Sequence, residues 1–399
     1  MYIPITELKL RLNKIFKATQ ELTDEEVDSI LIRANANMIY LTGTVVLGYA
    51  YLHKDLDLPI FFLERPTQAL DEMPDSCCYS VRKPELIPDI LKGKGFSVSE
   101  RTALEQDELS FSEYGRLSKL SETGRVSPFS ANGIMLRARM IKTPFEIEIM
   151  RESALVHCKI YEDVPRLYRQ GMTELELQIE LERAMRLRGS IGTFRCYGPR
   201  MEIFMGNIIS GDNAQSPAPY DFAMGGVGTP PMPMGAANRI IQPNSSVMVD
   251  LAGNYSVYNT DITRTYSLGT LPDKAYHAHE VARGICRFFE HHVKDGTPVA
   301  DIYLHAQERV AEEQLESVFM GTEFQAKFVG HGMGIQINEQ PVLIGKSKEQ
   351  FRSGMTIAVE PKFVLPGIGP VGMENTYLIT DTGVELFSPV EESIVPLDK

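Results

Sequence analysis

Residues 247–266 read VMVDLAGNYSVYNTDITRTY, and their pattern decides the fold of the C-terminal part of the chain. Val247 to Leu251 and Asp261 to Tyr266 are two strand-like runs, and the polar segment between them carries Gly253, Asn254 and Asn259. Runs of this kind separated by a turn-forming segment fold back as an antiparallel hairpin. A hairpin brings Asp250 and Asp261 onto one face of adjacent strands, close enough to share a cation. Taken singly, Asp250 also reads as a solvated residue beside a turn and Asp261 as a helix N-cap.

Three further residues extend the pair. Gly330-His331-Gly332-Met333-Gly334 holds a histidine among glycines, which let the backbone approach a ligand closely. Val359-Glu360-Pro361 and Met373-Glu374-Asn375 each put a glutamate inside an apolar strand. A buried carboxylate is costly unless it is paired or bound to a cation; the alternative is that both glutamates point outward from edge strands. Together Asp250, Asp261, His331, Glu360 and Glu374 offer four carboxylates and one imidazole, a donor set for two divalent cations. Such a pair activates a water nucleophile near neutral pH and stabilises a developing oxyanion. The expectation is a dinuclear metal enzyme.

A chain of 399 residues is long for a single core, so two domains are expected. The net charge of -13 argues against nucleic acid as a partner, because phosphate binding wants a basic face. No apolar stretch approaches the length of a membrane span, and the N-terminal residues have no signal-peptide core. The five cysteines, Cys77, Cys78, Cys158, Cys196 and Cys286, have no CxxC spacing and read as free thiols of a cytoplasmic protein.

The N-terminal part alternates helical and strand patterns. Ile5, Leu8, Leu12, Ile15 and Thr19 form one stripe, which predicts an amphipathic helix over 5–22. Val27 to Ala34 reads as a buried strand, Asn37 to Gly43 as a second apolar run closed by glycine, and Leu58 to Leu63 as a third strand. An α/β layer is therefore expected over residues 1–140, ahead of a second domain over 141–399. Thr143-Pro144-Phe145-Glu146 is a capping box with proline at the first helical position, predicting a helix to about Tyr168. Thr173 to Glu176 repeats the capping signal, and Gly189 closes that helix. Residues 198–245 are rich in Gly, Pro, Met and Asn, with little periodicity, and read as a long functional loop. Helices are expected over 273–293 and 299–318.

The runs VDLAG, NTDITRT, VGHGMG, VEPKF and MENTYL resemble the metal-ligand motifs of the methionine aminopeptidase, prolidase and creatinase superfamily. Asp261 follows Asp250 by eleven positions, and His331, Glu360 and Glu374 come in the family's order. The stretch ending in NMIYLTG is similar to the N-terminal domain of creatinase, prolidase and aminopeptidase P enzymes. The resemblance implies an α+β protein: a creatinase-like α/β N-terminal domain, then a pita-bread catalytic domain with an antiparallel sheet and flanking helices. It implies that Asp250 chelates one metal, that His331 and Glu360 bind the other, and that Asp261 and Glu374 bridge both. It implies Glu360 as proton shuttle, Mn, Co, Zn or Fe as the metals, and a homodimer.

The departures from that pattern are specific. Where the peptidases follow a Ser-Gly segment with Pro-His, Ser210-Gly211-Asp212-Asn213 here leads to Pro217-Ala218. Their His-Glu-x-Pro element reads Asn338-Glu339-Gln340-Pro341, and the arginine two residues before the last glutamate is Gly372. Removing one preorganised oxyanion donor costs about 3 kcal/mol of barrier. Asn338 retains a hydrogen-bond donor, and Tyr220 or Asp221 is the candidate for the other role.

The leading expectation is an Xaa-Pro peptidase-type hydrolase of short peptides. The alternative is a metal-dependent hydrolase or lyase of a non-peptide small molecule, which the changes at Ala218, Asn338 and Gly372 would fit. A binding protein that has dropped catalysis is disfavoured, because all five ligands stand. His277, His279, His291 and His292 on one predicted helix read as a solvated face. Gly225-Gly226-Val227-Gly228 lacks the strand-then-helix context of a phosphate cradle and reads as part of a lid or a dimer contact.

Overall fold

The stripe over residues 5–22 folds as α1 (Ile5–Leu22), which buries Leu8, Leu12, Ile15 and Thr19. In the computed structural model, all residues are described except 1, 66, 69, 197, 199, 200, 202, 221 and 399, so the expectation for Asp221 lies outside the described residues. The chain divides into two compact units, Met1–Arg139 and Met140–Lys399.

The first unit carries a five-stranded sheet of β1 (Ser29–Ile32), β2 (Gly48–His53), β3 (Ile60–Leu63), β4 (Cys78–Ser80) and β5 (Thr102–Leu104), in the order β4-β3-β2-β1-β5. It is mixed: β1 pairs with β2 and β2 with β3 antiparallel, while β5 and β4 are added parallel. The apolar run at 37–43 is not extended. It forms α2 (Asn35–Thr42), closed by Gly43 at φ 73. The buried Glu105 carboxylate explains the difference. It accepts the backbone N–H groups of Arg33 and Ala34 at 2.5 and 2.7 Å and the Asn37 amide at 2.6 Å, anchoring the first turn of this helix. The strand between these runs, β2, was not anticipated. Helices α3 (Ile87–Lys92) and α4 (Phe111–Ser118) follow, and α5 (Ala131–Met140) closes this part of the chain.

In the second unit both capping boxes form. Thr143 and Glu146 cap α6 (Pro144–Leu167), and Thr173 and Glu176 cap α7 (Glu174–Leu187), which Gly189 follows at φ 95. Among the described residues of 198–244, the regular elements are β6 (Gly206–Ser210) and a 3-10 turn at Gly211–Gln215. The predicted hairpin is β7 (Ser245–Gly253) and β8 (Thr260–Leu268). With β6 on one side and β16 (Val395–Pro396) on the other it makes a four-stranded sheet. A second, antiparallel sheet runs β10-β9-β11-β14-β15, built from β9 (Gly330–Gly332), β10 (Glu339–Val342), β11 (Thr356–Val359), β14 (Asn375–Ile379) and β15 (Val384–Leu386). Between β11 and β14 in sequence lies the hairpin of β12 (Lys362–Leu365) and β13 (Gly369–Gly372).

Two helices, α8 (Asp273–His292) and α9 (Ala300–Glu312), cover the core around these strands. The face of α8 repeats at helical spacing through Ala275, Ala278, Ala282, Ile285 and Phe289, all buried. Burying one side chain the size of Phe289 contributes about 1.5–3 kcal/mol. The second predicted helix stops at Glu312, six residues early; Gln314 takes a positive φ of 57 and only a 3-10 turn follows. Among the described residues no helix is long and apolar enough to cross a membrane.

Candidate metal centre

Register places the two aspartates. Asp250 lies opposite Thr263 and Asp261 opposite Ala252. Side chains two apart on a strand share a face, so Asp250, Ala252, Asp261 and Thr263 all point one way. The glutamates reach the same place differently from the sequence expectation. Glu360 follows the last residue of β11, and Glu374 sits between β13 and β14, so both stand at strand junctions rather than inside strands. Neither points outward: Glu360 is 7% and Glu374 1% exposed. A bridge from Thr263 to Glu374 joins β8 to that second junction.

All five predicted residues line one cavity of about 310 Å³. His331 Nε2 is 3.4 Å from Glu360 Oε1 and 3.9 Å from Asp261 Oδ2. One ligand atom each from Asp261, His331 and Glu374 lie within 4.8 Å of one another. Burial raises the Asp261 carboxyl well above the usual carboxylate range, and Glu374, Asp250 and Glu360 add to it. Burial raises Glu374 in the same direction, partly offset by a nearby ammonium. Glu374 Oε1 is buried without a hydrogen-bond partner. A buried orphan carboxylate oxygen beside another carboxylate and an imidazole fits a divalent cation, which would supply the missing charge.

The ammonium belongs to Lys362, which the sequence reading missed. Its Nζ is 2.8 Å from Glu360 Oε2, 2.9 Å from Asp250 Oδ2 and 3.5 Å from Glu374 Oε2, and its side chain is 3% exposed. Burial pulls the Lys362 ammonium down, but Asp250, Glu360 and Glu374 outweigh it and hold it well above the ordinary lysine range. The signal was in the sequence: Lys362 is two residues after Glu360, and two-residue spacing along an extended chain returns to the same face. The residues therefore fit one divalent cation at Asp261, His331 and Glu374, whereas Asp250 and Glu360 already hold a cation of the chain's own.

Supporting groups fix these side chains. The Thr263 hydroxyl donates to Glu374 Oε2 at 2.8 Å. Arg264, 2% exposed, donates to the Glu374 carbonyl at 2.7 Å and to the Asn375 side chain at 2.7 Å. Thr376 Oγ1 donates to the Asp261 carbonyl at 2.7 Å. Phe222, Met224, Phe328 and Ile337 give the cavity its apolar lining.

The three substituted positions have separate fates. Asn338 lines the cavity. Gly372 pairs with Lys362 across the β12–β13 hairpin, at φ 144. A Cβ there would lie 2.4 Å from the Pro361 carbonyl oxygen, so no larger side chain fits. Ala218 lies beside the glycine run: a Cβ on Gly225 would meet Pro217 C at 2.3 Å and Ala218 N at 2.4 Å. These glycines serve close backbone packing. Tyr220 stacks edge-on against Phe222, with centroids 5.7 Å apart.

The histidine cluster on α8 is only partly the solvated face expected. His277, His291 and His292 are exposed, but His279 is 2% exposed and its Nε2 lies 2.6 Å from the Glu392 carbonyl. It is a packed core histidine.

Carboxylates and an imidazole brought together by two sheets beside a partly apolar cavity have the make-up of a metal-dependent hydrolase. Residues 148–381 match the model of metallopeptidase family M24, and residues 14–141 that of the creatinase/prolidase N-terminal domain. The chain belongs to metallopeptidase family M24, whose members use divalent metals. An Xaa-Pro dipeptidase of Pyrococcus furiosus is 24% identical over 391 residues, 97% of this chain and 100% of the relative. Among solved structures, an Xaa-Pro dipeptidase from Bacillus anthracis superposes with a TM-score of 0.79 at 22% identity, covering 98% of this chain and 100% of the other. A prolidase from Pyrococcus horikoshii OT3 gives 0.74 at 22%, covering 96% and 99%. The pita-bread architecture and the creatinase-type N-terminal domain are thus those of this chain.

Proposed function

We propose that this chain is a metal-dependent hydrolase of the Xaa-Pro peptidase type, cleaving a short peptide, with a creatinase-like domain over 1–140 and the catalytic domain over 141–399. The observation that carries the reading is the convergence of Asp261, His331 and Glu374 on one point, with Glu374 Oε1 buried and unpartnered. The relatives named as Xaa-Pro dipeptidases support the substrate class. So does the apolar lining of Phe222, Met224 and Phe328, which suits a ring such as proline.

A divalent ion held by these residues, of Mn, Co, Zn or Fe, supplies Lewis acidity to the attacking water and to the scissile carbonyl. In this reading Asp261, His331, Glu360, Glu374 and Asp250 form the acidic end of the cavity. Glu360 carries the proton of the attacking water toward the leaving amine. Asn338 donates to the carbonyl oxygen, in part replacing the absent histidine. The second ion that the resemblance implies, chelated by Asp250 and bridged by Asp261 and Glu374, would need the Asp250 oxygen that Lys362 meets at 2.9 Å, and so requires Lys362 to leave. Free cysteines support a cytoplasmic setting, and the homodimer expected from the resemblance is checked by size exclusion with light scattering.

The test is turnover of Xaa-Pro dipeptides and Xaa-Pro-Xaa tripeptides by protein loaded with Mn or Co. Hydrolysis at the Xaa-Pro bond is expected. No turnover of any of them, with metal bound, refutes the peptidase reading.

A further inference from the structure

We infer that the centre is built for one divalent cation, at Asp261, His331 and Glu374, and that the side chain of Lys362 permanently occupies the place of a second. This rests on reading the cavity as a divalent-metal site; what it adds is the number of ions and the residue that sets it.

The geometry separates the cluster into two halves. In one, Asp261, His331 and Glu374 bring ligand atoms within 4.8 Å of one another, and one Glu374 oxygen has no partner. In the other, the Lys362 ammonium meets Glu360 Oε2 at 2.8 Å, Asp250 Oδ2 at 2.9 Å and Glu374 Oε2 at 3.5 Å. An ammonium has three N–H donors and no acceptor, and here it faces three carboxylates. It hydrogen-bonds to Asp250 and Glu360 and pairs with Glu374 at longer range. Glu374 divides its oxygens between the halves: Oε2 faces Lys362 and the Thr263 hydroxyl, while Oε1 is left for the ion.

A second dication would need the same Asp250 and Glu360 oxygens, and like charges at that separation repel strongly in a buried site. The lysine is not loosely placed. It opens β12, whose pairing with β13 sets Lys362 against Gly372. That hairpin is closely packed, since a Cβ on Gly372 would come within 2.8 Å of the Lys362 Cα. The position where the related peptidases carry an arginine is thus bare, and the cation instead stands on the facing strand, directed into the carboxylates. One consequence concerns the reaction itself. The ammonium donates to Glu360 Oε2, leaving Oε1, which faces His331, to take a proton.

The experiment counts metal rather than turnover. The full-length chain, its Lys362→Met variant and its Lys362→Arg variant are stripped, reloaded with manganese and desalted. Bound manganese per chain is then measured by plasma mass spectrometry, and its spin coupling by electron paramagnetic resonance. The expected result is one ion per chain with an uncoupled spectrum in the wild type and in Lys362→Arg. In Lys362→Met the count rises twofold, to two coupled ions. Two coupled ions in the wild type, with Xaa-Pro hydrolysis intact, overturn this inference and leave the proposed function standing. A folded Lys362→Met that stays at one ion also overturns it. No bound ion in either the wild type or Lys362→Met overturns the metal-site reading itself. Should Lys362→Met not fold, the wild-type count still decides.

Discussion

Two hairpins face the same cavity and bring opposite charge to it. The β7–β8 hairpin delivers Asp250 and Asp261 from long, well-paired strands, and its register alone puts both carboxylates on one face. The β12–β13 hairpin is less than half as long and delivers Lys362, with Gly372 opposite it. The difference is one of legibility and of role. Alternation and a polar turn announce the first hairpin and its acidic face, whereas the second hides a cation inside a run of buried apolar residues, KFVL. The first hairpin is shaped to take up positive charge; the second supplies some of it in advance.

Breaking the second hairpin's contribution should have the largest effect. Lys362→Met leaves the Asp250, Glu360 and Glu374 oxygens that it meets without their buried counter-charge. Removing one partner of a buried ion pair costs about 3–5 kcal/mol, so the metal-free variant should melt well below the metal-free wild type. Manganese should restore most of the loss, as followed by calorimetry with and without chelator. A variant as stable as wild type in the absence of metal would mean that the lysine is not compensating those carboxylates.

Breaking the first hairpin's contribution should act on chemistry. Asp261→Ala removes a donor of the Asp261–His331–Glu374 group. Changes to residues that merely support metal ligands cost about 10–100-fold, so kcat/KM against an Xaa-Pro dipeptide should fall by at least about a hundredfold. The same site yields a sign for pH. Burial raises the Asp261 and Glu374 carboxyls in the metal-free protein, so the folded state binds more protons than the unfolded one above the ordinary carboxylate range. Their contribution to stability is therefore present at acid pH and lost as pH rises through the raised values. The melting temperature of metal-free protein should fall between about pH 5 and about pH 8, and Asp261→Asn should flatten that slope.

Thr263→Val sharpens the comparison at the point where the two sheets meet. It deletes the 2.8 Å hydrogen bond to Glu374 Oε2 while keeping the side-chain shape. Manganese affinity, read by titration calorimetry, should weaken by about tenfold to a hundredfold, with fold and cavity retained. The smallest effect is expected from His277→Ala, far from either hairpin in role. Its pairing with Glu313 at 3.0 Å is exposed, so stability should change by no more than about 1 kcal/mol. Bound metal should not change at all.

Much of this architecture is legible in the sequence. The capping boxes at Thr143 and Thr173 wrote the starts of α6 and α7 into adjacent residues, because capping is a local interaction. The five acidic and imidazole residues that line the cavity stand out in the sequence because each sits in an unusual local setting. What escaped depended on distant partners. Asn37 to Thr42 has the composition of a strand, but the Glu105 carboxylate, far along the chain, holds the Arg33 and Ala34 N–H groups just ahead of it and the Asn37 amide, and the segment is helical. His279 looked like its exposed neighbours, yet a carbonyl near the C-terminus, that of Glu392, buries it. Lys362 escaped because a lysine is ordinarily solvated; only the three carboxylates around it make its burial tolerable.

The most direct measurement is anomalous diffraction at the manganese edge from crystals of the wild-type protein grown with manganese. The account predicts a single peak bounded by Asp261, His331 and Glu374, with the Lys362 ammonium still against Asp250 and Glu360. Two peaks with the lysine turned away, or no peak among these residues, would contradict it.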